Sequence, residues 1–320
     1  MPIRLALLLS AFASVAMAAP SETEIQAPGP MGPLGGAMVQ PDHPDSPVVL
    51  IIPGSGPTDR DGNSPAGVKG APYRLLAQGL AAKGIASIRI DKRGMFSSAT
   101  AVPDPNNVTM QAYADDVHAW VAAIRKATGA PCVWVLGHSE GGLVALVAAH
   151  EPEGICGLVL VSGPGRPLGV ILREQLRANP ANAPLLAEAD AALTSLEAGK
   201  RVDVTGMNPA LLPLFAPQVQ GYWIDMAGLD PAKLIASYAG PVLIVQGDKD
   251  IQVSLADAER LHAADPRARL AVLPGINHVL KAVASDDRAA NIATYVNPDL
   301  PLGPGVVDTI ADFVRASPAK

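Results

Sequence analysis

The chain has 320 residues, 49% hydrophobic and 17% charged, with 24 basic against 30 acidic side chains and a formal net charge of −6. That length can bury a sizeable core as one large α/β domain or two smaller ones. A mildly acidic balance without basic clusters argues against nucleic acid and against anionic membrane surfaces as partners.

The first residues, "MPIRLALLLSAFASVAMAAP", carry one positive charge at Arg4, an apolar stretch from Leu5, and small residues at Ala16 and Ala18. This is the layout of a cleavable export signal, residues 1–18, cut after Ala18. A membrane anchor would need about 20 uninterrupted apolar residues, and no later stretch supplies them. The mature chain is therefore expected to be soluble and periplasmic or secreted.

Residues 23–40, with "GPMGPLGG" in the middle, read as an antiparallel pair. Continuous apolar runs ending in Gly or turn residues then recur at 47–54, 84–91, 132–138, 155–163, 241–247 and 269–275. Continuous rather than alternating apolarity predicts strands covered on both faces. Helical patterns lie between and after them at 73–82, 110–126, 141–150, 255–264 and 306–315, so the chain reads as βαβ units. The interval 166–239 breaks this rhythm: it is helical, rich in Pro and without a convincing strand. It reads as an inserted helical cap between a first core part, 19–165, and a second, 240–320. Phe215, Tyr222 and Trp223 sit in it, either lining an acyl pocket or packing the cap on the core.

Cys132 and Cys156 lie six residues before His138 and Ser162, near the starts of two apolar runs. On neighbouring parallel strands their thiols would sit at one height and could bridge in an oxidising compartment. Two buried free thiols fit the same pattern.

The stretch "VWVLGHSEGG" puts Ser139 in a G-x-S-x-G motif between a buried strand and a helix, the context that gives the motif meaning. A serine needs a base, and the base an orienting acid. His118, His150 and His262 fall in helical patterns and His43 in a Pro-rich approach. His138 lies inside the motif and is expected to point away from the site. Only His278, in "LPGINHVL", follows a strand end on a loop able to reach Ser139. For the acid, "IVQGDKDIQV" offers Asp248 and Asp250. The loop "IIPGSGPTDRDGN" leaves backbone amides free, so the N–H groups of Ser55 and Glu140 are the expected oxyanion pair. Asp59, Arg60 and Asp61 are expected to brace that loop by ion pairing. No His/Cys/Asp cluster has ligand spacing, so neither metal nor cofactor is implied.

Together, "PGSGPTDRDGN", "DKRGMFSS" (91–98), "GHSEGG", "GDKD" and "GINHVLK" make the chain resemble the α/β-hydrolase superfamily, specifically bacterial serine carboxylesterases, over roughly residues 23–316. The resemblance implies an α/β fold with a mostly parallel eight-stranded sheet, flanking helices and a cap. It also implies Ser139 as nucleophile, His278 as base and Asp250 as acid, with a small-molecule ester as substrate. Three residues past Gly247, Asp250 has room to turn back toward His278. The family's oxyanion loop often carries a His where this chain has Pro53. An amidase or aminopeptidase on the same triad is the nearer alternative; a non-catalytic binding protein of this fold is the more distant one.

Overall fold

The computed structural model of the protein describes residues 21–41 and 45–317. The expected leader, 1–18, and His43 lie outside the described residues. Eight strands form one sheet in the order β1-β2-β4-β3-β5-β6-β7-β8. They are β1 (Ser21–Ala27), β2 (Leu34–Gln40), β3 (Val48–Ile52), β4 (Ala86–Ile90), β5 (Val133–His138), β6 (Ile155–Val161), β7 (Val242–Gly247) and β8 (Arg269–Leu273). β1 and β2 form the expected antiparallel pair, and β2 joins β4 antiparallel. Every later pairing is parallel.

The uniformly apolar strands follow from this layering. Val48, Leu50 and Ile52 of β3 enter one core, while Val49 and Ile51 enter the other. Successive side chains alternate across the sheet, so a strand covered on both faces leaves little room for polarity; Ser87 and Arg89 of β4 and Gln246 of β7 are buried exceptions. One face is covered by α1 (Pro72–Ala82) and α11 (Val306–Ala316). The other is covered by α2 (Met110–Thr128), α3 (Glu140–Ala148) and α9 (Leu255–Ala264). In α2 the residues Tyr113, Val117, Trp120 and Ile124 are all buried, as their helical spacing predicts. The Thr109 side chain caps this helix, accepting from the Ala112 N–H, and Gly129 ends it in the left-handed region at φ 74°.

Between β6 and β7 run α4 (Leu168–Arg177), α5 (Leu186–Glu197), α6 (Leu212–Phe215), α7 (Gln220–Ala227) and α8 (Pro231–Ser237). Leu172, Ala189, Leu193, Leu196, Leu211 and Phe215 give these helices a small core of their own. The segment is tied to the rest by polar contacts. The Arg166 guanidinium reaches Asp257 of α9 at 2.7 Å, and Asp225 of α7 accepts the Met110 N–H at 2.6 Å. After β8 comes α10 (Arg288–Ala293), which precedes α11.

Cys132 and Cys156 are bonded, with Cα atoms 5.1 Å apart and 24 residues of separation. The sheet decides the alternative that composition left open: β5 and β6 are parallel neighbours with Val133 opposite Ile155. The bridge sits at the amino ends of these strands, away from the candidate site. The double variant Cys132→Ala/Cys156→Ala should therefore lose about 3 kcal/mol of folding stability through the freed unfolded chain. Urea titration would measure it; equal stability of the two proteins would mean that the bridge constrains nothing.

Candidate active site

The carboxyl ends of β3, β5, β7 and β8 lead into the segments that carry Ser55, Ser139, Glu140, Asp250 and His278. β5 passes into α3 through Ser139 alone, whose φ of 54° and ψ of −124° lie outside the regions open to most side chains. Two glycines make the turn possible. A Cβ on Gly137 would stand 2.0 Å from the Gly141 carbonyl oxygen, and one on Gly141 would stand 2.5 Å from that of Ile52. The Ser139 side chain caps no helical N–H, and its hydroxyl is left unbonded among the described residues.

His278 follows β8 on a loop and is buried, yet only one of its ring nitrogens is engaged. Its Nδ1 lies 2.8 Å from Asp250 Oδ2, and the Asp250 side chain is fully buried. Burial alone would raise the Asp250 carboxyl, but His278 and the Val253 and Gln252 N–H groups outweigh it and hold it below the usual carboxylate range. Those two N–H groups reach Oδ1 at 2.9 and 2.8 Å, and Gln246 Nε2 adds a contact to Oδ2 at 3.3 Å. Asp248 does different work: its Oδ1 accepts the Gly275 N–H at 2.6 Å, bracing the neighbouring loop. The structure thus pairs Asp250, not Asp248, with His278.

His138 does turn away from the cavity, as expected, but it is not idle. Its Nε2 lies 2.8 Å from the His278 carbonyl oxygen, which can only accept, so Nε2 carries the proton. Nδ1 is then bare and accepts from the Tyr73 hydroxyl at 2.8 Å, and that oxygen accepts the Gly54 N–H at 3.1 Å. One neutral imidazole therefore joins the loop after β3, the turn after β5 and the loop after β8. Burial, and then the neighbouring His278 ring, push its pKa down to about 3.

The loop after β3 is braced by charge, as the sequence suggested. Arg60 pairs with Glu24 at 2.7 Å, its N–H donates to Asp91 Oδ1 at 2.9 Å, and the buried Arg89 binds Asp61 and Glu22. Asp59 Oδ1 accepts the Asp61 and Asn63 N–H groups at 2.9 and 2.8 Å. This loop presses on the nucleophile: a Cβ on Gly54 would lie 3.2 Å from Ser139 Cβ. Neither the Ser55 N–H nor the Glu140 N–H, the first of α3, is bonded within the described residues. The Glu140 carboxylate is buried and pairs with the buried Lys92 ammonium at 3.0 Å.

Ser139, Ser55 and Glu140 open into a cavity of about 520 Å³. Its far wall is apolar and drawn largely from the insertion, including Leu168, Ile171, Leu214, Trp223 and Met226. Tyr222 and Trp223 line it. Phe215 does not, which corrects the sequence expectation. It is fully buried in the cap's own core, clustered with Leu172, Leu193, Leu196 and Leu211 rather than exposed to the cavity. Sequence reasoning passed over Gln246, Tyr73 and Lys92. Gln246 had a signal, as the lone polar residue in the apolar run "PVLIVQG"; Lys92 had one as a cation immediately past a buried strand.

Residues 69–184 match the family described as serine aminopeptidase S33. The esterase EstD of Thermotoga maritima is 27% identical over 239 residues, covering 73% of this chain and 54% of that protein. The chain thus spans about half the length of this relative. Among solved structures, Est1E of Butyrivibrio proteoclasticus, with ferulic acid bound, superposes with a TM-score of 0.56 at 18% identity, covering 90% of this chain and 96% of that one. The α/β hydrolase GrgF of Penicillium sp. sh18 gives 0.58 at 17% identity, covering 93% and 99%. Likenesses this distant in sequence speak for the fold alone. The chain has the α/β-hydrolase fold.

Proposed function

We propose that the protein is a serine hydrolase that cleaves carboxylic esters through an acyl-enzyme intermediate. The observation that carries this reading is His278, pinned at Nδ1 by a buried carboxylate and unspent at Nε2, its ring centroid 4.7 Å from that of His138, the residue before Ser139 on the strained turn. In this reading His278 Nε2 takes the Ser139 proton as Oγ bonds to the ester carbonyl. The carbonyl oxygen becomes an oxyanion facing the Ser55 and Glu140 N–H groups. Its collapse breaks the bond to the alcohol, which leaves with the proton from His278. Water then repeats the sequence on the acyl-enzyme and releases the acid. Asp250 holds the imidazole tautomer and stabilises its charged form. Similarity to EstD supports the ester assignment.

The aminopeptidase family match favours a second reading, an amide-cleaving enzyme that binds a free amine. Such a site needs an uncommitted carboxylate at the cavity. Glu140 is the one carboxylate on the cavity wall, and Lys92 already holds it. Arg166, also on the wall, is bound to Asp257 and Glu174. With its charges paired among themselves, the cavity suits an uncharged ester with an apolar acyl group. An exported, periplasmic or secreted, setting belongs to the same proposal, supported by the leader-like residues 1–18 and by the disulfide.

A fluorophosphonate should label the exported protein, of a mass beginning at Ala19, on Ser139. Ser139→Ala and His278→Ala should each lower turnover by several orders of magnitude and combine to little more. Asp250→Asn should cost roughly 10³–10⁴-fold, and Asp248→Asn no more than roughly tenfold because it braces a loop. Losses that multiply, or an adduct on another residue, would remove the triad reading.

Trp223→Ala should shift relative rates across acyl lengths, because its ring lines the cavity wall. Phe215→Ala should leave that profile alone and cost about 3–5 kcal/mol of stability. Rates on nitrophenyl esters of increasing acyl length, beside urea titration, separate the two; an unchanged profile in Trp223→Ala counts against the acyl pocket.

His138 offers a pH test. Its imidazole stays neutral in the folded protein down to about pH 3, whereas the unfolded chain takes the proton near the ordinary 6.5. Between those values the unfolded state binds more protons, so stability falls as the pH drops through that window, by up to about 1.4 kcal/mol per pH unit. His138→Gln should flatten this limb in urea titrations from pH 7 to pH 4. An unchanged slope would show that His138 is protonated in the fold.

A further inference from the structure

We propose that Lys92 is a positioning residue for the oxyanion site: by holding the Gly54 carbonyl and the Glu140 side chain together, its ammonium aims the Ser55 N–H into the cavity beside Ser139. This rests on the ester-hydrolase reading above and adds to it a residue outside the triad.

The geometry is that of a clamp. Lys92 follows β4 and is buried, with Nζ 2.7 Å from the Gly54 carbonyl oxygen and 3.0 Å from Glu140 Oε1. The Tyr113 ring covers another side of the ammonium, its centroid 5.3 Å away. The Gly54 carbonyl and the Ser55 N–H belong to one peptide unit, and no cis bond occurs among the described residues. In a trans peptide the two groups point in opposite directions. A cation that fixes the carbonyl on one side therefore fixes the N–H on the other. The Gly54 N–H is held separately by the Tyr73 hydroxyl at 3.1 Å. With the Gly54 N–H fixed, the Gly54–Ser55 peptide can still rotate, and a glycine permits this readily. Lys92 blocks that rotation.

Two further points favour this role over a purely structural ion pair. Burying two charges costs about what their attraction returns, so an apolar pair of similar volume would stabilise the fold as well or better. Hydrogen bonding of a carbonyl to a cation also polarises the peptide and strengthens its N–H as a donor, a gain realised when negative charge develops opposite it. Burial pulls the Lys92 ammonium down, but the Glu140 carboxylate outweighs this and raises it, so the clamp stays charged.

Glu140→Gln serves as the reference. It keeps the backbone N–H of residue 140 and leaves Lys92 on Gly54, and it should lose less than about tenfold in kcat. Adding Lys92→Met removes the ammonium without stranding a buried carboxylate. The pair should lose a further 10²-fold or so in kcat, with KM within about threefold. An aryl trifluoromethyl ketone, whose adduct with Ser139 carries the oxyanion, should lose affinity by the same factor. Lys92→Arg, alone, should retain most of the activity, and it decides the matter by the same two readouts if the double variant fails to fold. A folded double variant with the kcat and inhibitor affinity of Glu140→Gln would overturn the proposal. So would a loss confined to KM. Failure of the wild-type protein to react with a fluorophosphonate would instead bring down the hydrolase reading, and this inference with it, before any variant is compared.

Discussion

At the turn from β5 to α3, the Gly141 carbonyl oxygen occupies the place a side chain on residue 137 would need, 2.0 Å from its Cβ position. The Ile52 carbonyl does the same to residue 141 at 2.5 Å. Three backbone segments thus meet with no side chain between them, and the rest of the site depends on that contact. Because β3 and β5 end so close together, the residue between strand and helix is forced to a positive φ, a sparsely populated conformation that costs a non-glycine residue about 1–3 kcal/mol. The hydrophobic packing of α3, buried on nearly all sides, holds the turn against that cost. The result is a serine whose hydroxyl is presented rather than packed.

The same proximity lets a few polar side chains govern several loops. His138 reaches the His278 carbonyl on one side and Tyr73 on the other, and Tyr73 reaches Gly54. Lys92 grips the far side of Gly54 and the residue after the nucleophile. Gln246 and two backbone amides fill the acceptor sites of Asp250 that His278 leaves open. Buried polar groups in such a network are costly unless each is satisfied. Moving one loop would strand partners on the others, so the site is expected to hold its geometry as one unit.

What the sequence showed and what it hid divide along physical lines. The parallel strands, α2 and the serine turn were legible because each is written in local pattern: continuous apolarity, helical spacing, glycines at fixed offsets. The disulfide needed one non-local fact, the adjacency of β5 and β6, which spacing suggested without deciding. Phe215 was misplaced for the opposite reason. Composition reports that an aromatic lies in the cap, while the packing of the cap helices on one another decides which core it fills. Lys92, Tyr73 and Gln246 were hidden more deeply, because their partners lie 38, 65 and 4 residues away through contacts that only the assembled sheet creates. A charge beside a buried strand announces that a partner exists, without naming it.

The pairing of Lys92 with Glu140 also bears on what the cavity accepts. A lone buried ammonium would draw anionic ligands, and a lone carboxylate would draw amines. Joined at 3.0 Å, the two cancel at the distance of a bound acyl chain while each still acts on the atoms it touches. In the proposed reading an uncharged ester meets a cavity whose field is small, with an apolar wall to set the binding. Charge would then appear only as the reaction proceeds, at the carbonyl oxygen, opposite the Ser55 and Glu140 amides. Interactions that strengthen only in that state raise turnover rather than ground-state affinity. A paired cation behind the peptide, instead of a free one in the cavity, is an arrangement suited to that distinction.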